Sequence, residues 1–250
     1  MKWSKEIEEK AVALRSEGKT YREIGLELNT TETSVKHKIR RIQQNGNDDR
    51  YKHTAEKLNQ MQMCLRVFNL PKKSHILETH CGYGGMTNHY AKLAEVECYD
   101  IVKERSASVN LQHENVTAIH ANSELELYRL IAHKCKYDVV DIDPYGLPSR
   151  YFPHAFGLID DGLMFLTFPV MGVAQINKIT IRHYQAFWGI ELSDKEFYLD
   201  IIKSKLEDFA FQHKRSIEFI DSIKIGRIYR IAMRVRKESL CEIVGLKVNR

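Results

Sequence analysis

The chain contains no apolar run approaching the roughly 20 residues that a membrane-spanning helix needs, and its first residues, Met1-Lys2-Trp3-Ser4-Lys5-Glu6, lack the apolar centre of a signal peptide. No membrane partner is expected, and the expected location is cytoplasmic. Cysteine is scarce and unpaired in spacing: the five, Cys64, Cys81, Cys98, Cys135 and Cys241, form no Cys-x-x-Cys element. That excludes a zinc ribbon and a disulfide shuttle and predicts reduced, mostly buried thiols. His133-x-Cys135 supplies too few ligands on its own, so no metal is expected. A strong charge bias is also missing. A net charge of +5 is too small to imply a polyanion partner by itself, so the placement of charge matters more than its sum. What is present suffices for one α/β domain and a small appendage: 250 residues, 43% of them hydrophobic.

The first 46 residues read as a small all-α unit. Ile7, Ala11 and Leu14 recur at helical spacing until Gly18 stops the run. Thr20 and Glu23 form a capping box for a short second helix that buries Ile24 and Leu28, and Asn29 suits the turn after it. Thr31 or Thr33 caps a third helix through Val35, Ile39 and Ile42. This third helix has no acidic residue after Glu32, although the first two are rich in Glu. Its polar face offers Ser34, Lys36, His37, Lys38, Arg40 and Arg41 as nucleic-acid contacts, the pattern of a helix that enters a DNA major groove with its cations on phosphates. With Trp3, Gly18, Tyr21 and Ile24 in place, the segment resembles the homeodomain-like helix-turn-helix of resolvases and small regulators.

A polar linker follows, from Gln43 through Arg50 around Asn45-Gly46, so the division is 1–46, a linker at 47–52, and 53–250. A helix over about His53–Phe68 carries Leu58, Met61, Leu65 and Phe68 on one stripe, which reads as core packing. Beyond it, short apolar runs at 75–78, 96–100, 116–120, 138–142 and 163–168 alternate with helical stretches, the signature of a parallel sheet covered on both faces. Ser193 with Glu196 opens a helix to about His213, and Ile217–Ile220 with Ile228–Val235 form a last strand pair. A sheet that ends in an antiparallel pair resembles the class I methyltransferase fold. The fold class is therefore α/β, a Rossmann-like class I methyltransferase sheet behind a small helix-turn-helix domain.

Ligands of open α/β sheets sit beyond the carboxyl ends of the strands. Glu78-Thr79-His80-Cys81-Gly82-Tyr83-Gly84-Gly85 occupies the first such end, where glycine lets backbone approach a cofactor. Asp100, about twenty residues on, is placed to accept hydrogen bonds from ribose hydroxyls, and Asn122-Ser123 after the third strand is placed to meet adenine. The cofactor set read from these strand ends is Glu78, Cys81, Gly82, Tyr83, Gly84, Asp100, Ile101, Asn122, Ser123 and Asp141.

The class of reaction comes from Asp143-Pro144-Tyr145-Gly146, which follows the strand Tyr137-Asp138-Val139-Val140-Asp141-Ile142. A base amine is a poor nucleophile because its lone pair is delocalised into the ring. The Asp143 carboxylate and the Pro144 carbonyl can hold both amine protons, and Tyr145 can stack on an extruded base. Asp143, Pro144 and Tyr145 are thus the candidate catalytic residues, S-adenosylmethionine is the candidate cofactor, and positioning with electrostatics drives the reaction. Methylation of cytosine C5 is excluded because no cysteine follows a proline.

Asp141-Ile142-Asp143-Pro144-Tyr145-Gly146 closely resembles the catalytic loop of the tRNA guanine-N2 methyltransferases, Asp-x-Asp-Pro-aromatic-Gly, over about residues 74–170. It is more loosely similar to the Asp-Pro-Pro-Tyr loop of amino-type DNA methyltransferases, whose second proline is absent here. The resemblance implies that Asp143 contacts the target amine and Tyr145 the base plane. Against the tRNA family, the chain leaves no room for the usual large C-terminal domain. The major-groove character of the third helix favours duplex DNA as partner, with tRNA or rRNA as the alternative and a non-catalytic, cofactor-binding regulator as the third reading. Residues 171–192, with Lys178, Arg182, His183, Tyr184, Phe187 and Trp188, are a further candidate lining for nucleic acid.

Overall fold

The computed structural model describes residues 3–46, 53–71, 73–110, 113–169, 199–226 and 228–238. The chain divides into two compact units, Met1–Lys52 and His53–Arg250.

The first unit is three helices, α1 (Lys5–Ser16), α2 (Tyr21–Glu27) and α3 (Glu32–Gly46). Ser4 caps α1 by accepting from the Ile7 N–H, and Thr20 and Glu23 close a full capping box on α2. Thr31 Oγ1 accepts from the Ser34 N–H at 3.1 Å, which selects it over Thr33 as the cap of α3. Ala11, Leu14, Ile24, Val35 and Ile39 are buried together and make the small core. The turn after α2 folds back closely on Gly25, where an added Cβ would lie 2.9 Å from the Thr30 carbonyl oxygen.

Two expectations for this unit change. Helix α3 continues through Gln43–Gly46, the stretch whose polar composition reads as the start of a linker, and residues 47–52 lie outside the described residues. Two of the six candidate nucleic-acid contacts are used inside the bundle. Ser34 Oγ accepts from Trp3 Nε1 at 3.2 Å, and Lys38 Nζ lies 2.5 Å from Glu8 Oε1 and 5.8 Å from the Trp3 ring centroid. Lys36 and His37 are exposed, and the side chains of Arg40 and Arg41 lie outside the described residues.

The second unit opens with α4 (Thr54–Phe68), which leads into β1 (His75–Glu78). Four further strands alternate with helices in the order α5 (Thr87–Tyr90), β2 (Glu95–Asp100), α6 (Lys103–Asn110), β3 (Val116–His120), α7 (Ser123–Ala132), β4 (Val139–Ile142), α8 (Phe152–Ala155) and β5 (Asp161–Pro169). Helix α9 (Leu199–Gln212) then precedes β6 (Arg215–Ile225) and β7 (Ile228–Lys237). The strands form one seven-stranded sheet in the order β3-β2-β1-β4-β5-β7-β6. β1 to β5 are parallel, and β7 inserts antiparallel between β5 and β6. The last two strands are longer than the apolar runs at 217–220 and 228–235 imply, because polar residues continue both sides of the hairpin. The start of the predicted helix at Ser193 and the segment 171–192 lie outside the described residues.

Side chains alternate across the sheet with period two, and each face builds its own core. Ile76, Val96, Cys98, Val139, Leu163 and Phe165 face one layer with Met61 and Cys64 of α4, Tyr90 of α5 and Val109 of α6. Leu77, Tyr99, Val140, Ile142, Met164 and Leu166 face the other with Leu127 and Leu130 of α7, Phe152 of α8 and Ile202 and Leu206 of α9. The carboxyl ends of β1, β2, β3 and β4 therefore meet along one rim, where the switch of strand order between β1 and β4 opens a crevice. The thiols of Cys64, Cys81 and Cys98 are free and buried, Cys135 is half-buried, and Cys241 lies outside the described residues.

Candidate active site

At that rim a cavity of about 310 Å³ is lined by His80, Gly82, Asp100, Ile101, Arg105, Asn122, Ser123, Asp143, Pro144, Tyr145 and Tyr151. Residues from the ends of β1, β2, β3 and β4 converge on it, as the parallel order dictates. Of the sequence-derived cofactor residues, Gly82, Asp100, Ile101, Asn122 and Ser123 line the cavity, and all three candidate catalytic residues do so too. Glu78, Cys81, Tyr83, Gly84 and Asp141 do not.

The glycine turn is held from behind. Gly82 and Gly84 adopt φ of +54° and +85°, the left-handed region that favours glycine. The Gly82 N–H donates to Asp100 Oδ2 at 3.0 Å, and the Val102 N–H donates to Asp100 Oδ1 at 2.8 Å. Asp100 thus locks the turn to the end of β2 while its carboxylate borders the cavity. Arg105 Nη1 sits 3.7 Å from Asp100 Oδ2, and Arg105 Nε is buried without a hydrogen-bond partner among the described residues. Asn122 caps α7 through an acceptor bond from the Glu124 N–H at 2.9 Å, and the Ser123 hydroxyl donates to the Thr79 carbonyl. This half of the cavity offers a buried carboxylate suited to a pair of ribose hydroxyls and an unfilled cationic donor beside it. An adenosine-type cofactor fits such a donor set, and the volume lies at the low end of ordinary small-molecule sites.

The other half belongs to β4. The Asp143 side chain is 23% exposed and is held by Lys57 Nζ of α4 on its Oδ2. Burial pushes the Asp143 carboxyl up, but the charges of Lys57 and Arg230, with hydrogen bonds from Lys57 and Thr167, outweigh it and hold the group below its ordinary range. The Pro144 carbonyl accepts from the Gly146 N–H at 2.9 Å, closing a tight turn at Gly146, whose φ is +135°. That turn leaves the second lone pair of the carbonyl available and throws Tyr145 fully into solvent. His80 stands opposite, its Nδ1 2.7 Å from Thr79 Oγ1 and its ring edge-on to Tyr151 with centroids 4.6 Å apart. Burial pushes the His80 pKa down to about 4, so the imidazole is neutral at physiological pH.

Two buried carboxylates form the floor. Asp141, expected at the cofactor, is instead clamped by Arg230, with Nη1 to Oδ1 at 2.9 Å and Nη2 to Oδ2 at 2.6 Å, and Tyr90 Oη donates to Oδ2 at 2.6 Å. Its position one residue before the strand ends buries it, and both its carboxylate oxygens already have partners. Glu78, opposite Asp141 across the β1–β4 ladder, accepts from Thr87 Oγ1 at 2.6 Å. Burial, then the nearby Asp141 charge, pushes the Glu78 carboxyl well above its ordinary range. The sequence analysis missed Lys57, His80, Arg105, Tyr151 and Arg230. The signal for Arg230 was present: a lone arginine in the apolar strand run Ile228-Tyr229-Arg230-Ile231-Ala232-Met233.

The sequence model of the N2,N2-dimethylguanosine tRNA methyltransferase family matches residues 85–242, more than half of the chain. The chain belongs to this family. Among curated members, the tRNA (guanine(26)-N(2))-dimethyltransferase of Drosophila melanogaster is 28% identical over 174 residues, 64% of this chain and 30% of the relative. The mitochondrial tRNA (guanine(26)-N(2))-dimethyltransferase of Saccharomyces cerevisiae is 25% identical over 177 residues, 65% of this chain and 31% of that protein. The chain therefore spans about a third of the length of these relatives. Among solved structures, Trm1 from Pyrococcus horikoshii, in complex with S-adenosyl-L-methionine, superposes with a TM-score of 0.53 at 15% identity, covering 69% of this chain and 52% of that one. At that identity the likeness establishes the Rossmann-like sheet alone.

Family membership bears on the choice of polymer. The expectation of duplex DNA rested on α3, and no relative named above is a DNA enzyme; the tRNA guanine-N2 alternative is the one these findings support. Among the described residues no helix is long and apolar enough to cross a membrane. The yeast relative is mitochondrial, so membership of the family does not carry the cytoplasmic expectation.

Proposed function

We propose that this chain transfers a methyl group from S-adenosylmethionine to the exocyclic N2 amine of guanine in tRNA. The observation that carries the proposal is the shared cavity: the Asp143-Pro144-Tyr145 loop and the Gly82–Asp100–Asn122 rim border one small pocket in a member of this family. Asp100 would hold the ribose, the Gly82 turn the amino-acid portion, and Ile101 with Asn122 and Ser123 the adenine. The cofactor supplies an electrophilic methyl group on a sulfonium.

The rest is done by the chain. The Asp143 carboxylate, which keeps acceptor capacity beyond its Lys57 and Thr167 partners, accepts one N2–H bond, and the free lone pair of the Pro144 carbonyl accepts the other. Held this way, the nitrogen is drawn towards a tetrahedral geometry with its lone pair aimed at the electrophile, and the departing amine proton leaves towards Asp143. The exposed ring of Tyr145 provides a stacking face for the extruded guanine. Neutral His80 and Tyr151 close the opposite wall and restrict water. For the three-helix unit, the exposed Lys36 and His37 are assigned to RNA phosphates, a role that needs no groove entry.

The test is methylation of an unmodified tRNA transcript with isotopically labelled S-adenosylmethionine, followed by nucleoside mass spectrometry. Label in N2-methylguanosine or N2,N2-dimethylguanosine is expected. Label confined to adenine or cytosine, or found in duplex DNA and not in tRNA, would refute the assignment.

A further inference from the structure

We propose that Lys57 is a positioning residue of the reaction: its ammonium, delivered from α4, pairs with the Asp143 carboxylate and fixes it at the cavity wall for the target amine. The inference rests on the role given above to Asp143. It starts from an oddity of α4. Its apolar stripe, with Met61 and Cys64 fully buried, packs on the sheet as a core helix should, yet Lys57 is buried with that face, its side chain 11% exposed. Burying a lysine is costly unless the ammonium is paired and hydrogen-bonded. Lys57 reaches 86 positions along the chain to Asp143 Oδ2 to meet that need. The residue lies outside the segment matched by the family, 85–242.

The groups that face Asp143 come from every neighbouring element, and their balance defines what Lys57 does. Arg230 on β7 contributes a positive charge, but that charge is already engaged bidentately with Asp141. Thr167 on β5 contributes a hydroxyl that it shares with Arg230, at 3.0 Å from Nη1. From β1 and the turn after it, Glu78 adds a like-charged site when ionised, and His80 is neutral. Lys57 is therefore the cation committed to Asp143 among these groups. Removing it leaves a mostly buried carboxylate that has lost its largest stabilising partner, and burial then drives the carboxyl upward. A protonated Asp143 would present a donor where the amine needs an acceptor.

The experiment uses the full-length chain and its Lys57→Met, Lys57→Gln, Lys57→Arg and Asp143→Asn variants. A 13C carboxyl NMR titration of the free protein reads the Asp143 ionisation directly. Methyl transfer to an unmodified tRNA transcript across pH 6 to 9 reads its consequence. S-adenosylhomocysteine affinity and thermal unfolding are controls. The two neutral variants are expected to titrate Asp143 at least one pH unit higher than the parent and to lose roughly tenfold or more in kcat at pH 7. KM for tRNA and S-adenosylhomocysteine affinity should stay within about threefold, and part of the kcat should return as pH rises. Lys57→Arg, which preserves the charge, is expected to restore most of the activity. An unmoved Asp143 titration, or neutral variants as active as the parent, would overturn the proposal. So would unfolding of both neutral variants, or a loss that arginine does not restore and pH does not relieve, since the pair would then be only a structural contact. If Asp143→Asn is itself as active as the parent, it is the assignment of the loop that fails; if Asp143→Asn is inactive while Lys57→Met is not, only the role of Lys57 fails.

Discussion

Asp141 and Asp143 stand two positions apart at the end of one strand and do opposite work. Asp141 is fully buried, and its two oxygens accept three hydrogen bonds from Arg230 and Tyr90. Asp143 borders the cavity and retains acceptor sites. A carboxylate whose partners surround it serves as framework; one held from behind and open in front can receive a ligand. The carboxylate on the floor is thus engaged on both oxygens, and the one at the mouth keeps acceptor sites. The two are joined through Thr167, which bonds both Arg230 and Asp143.

The sharpest way to break this contrast is to disarm the floor. Arg230→Met leaves Asp141 charged and buried with Tyr90 alone, and should cost about 3–5 kcal/mol in urea unfolding. Replacing Asp141 by Leu in the same chain should return most of that loss, which would mark the pair as structural. At the mouth, Asp100→Ala removes the acceptor of the Gly82 and Val102 N–H groups and the proposed ribose contact. Calorimetry should register about 1–3 kcal/mol weaker S-adenosylhomocysteine binding; unchanged affinity would place Asp100 outside the cofactor site. Tyr145→Ala should lower methyl transfer roughly tenfold with little change in stability, whereas Tyr145→Phe should stay near the parent because the ring face carries the contact.

A smaller effect separates the two regions by pH. Glu78 has its carboxyl raised by burial, so above the ordinary glutamate value of about 4.5 the unfolded chain releases a proton that the folded chain keeps. Parent stability is therefore lost progressively as pH rises from that value towards the raised one. Glu78→Gln, whose amide oxygen can still accept from Thr87, should unfold at a higher temperature than the parent, with a larger gain at pH 8 than at pH 5. A difference independent of pH would mean that Glu78 is ionised in the folded protein.

The mouth was far more legible in the sequence than the floor. Glycine at positive φ, a carboxylate ending β2 and an Asp-Pro turn ending β4 are local signals, readable because the chemistry and the backbone make the same demand within a few residues. Lys57 was not, and Arg230 showed only as a lone arginine in an apolar strand, because their roles exist only through partners 86 and 89 positions away. Asp141 does not line the cavity, because its oxygens are taken by Tyr90 and by Arg230, 89 positions away, which nothing local to the motif reveals. Ser34 and Lys38 were assigned to a ligand because the polar face of a helix looks alike whether water, nucleic acid or a neighbouring helix covers it; here Trp3 and Glu8 do.

The most direct measurement is labelled methyl transfer by the parent and by Asp143→Asn, run side by side on an unmodified tRNA transcript and on duplex DNA, with nucleosides identified after digestion. The account predicts N2-methylated guanosine from tRNA with the parent, none from DNA, and a fall of roughly a hundredfold or more with Asp143→Asn at unchanged S-adenosylhomocysteine affinity. Full activity in Asp143→Asn, or methylation of DNA by the parent with tRNA untouched, would contradict it.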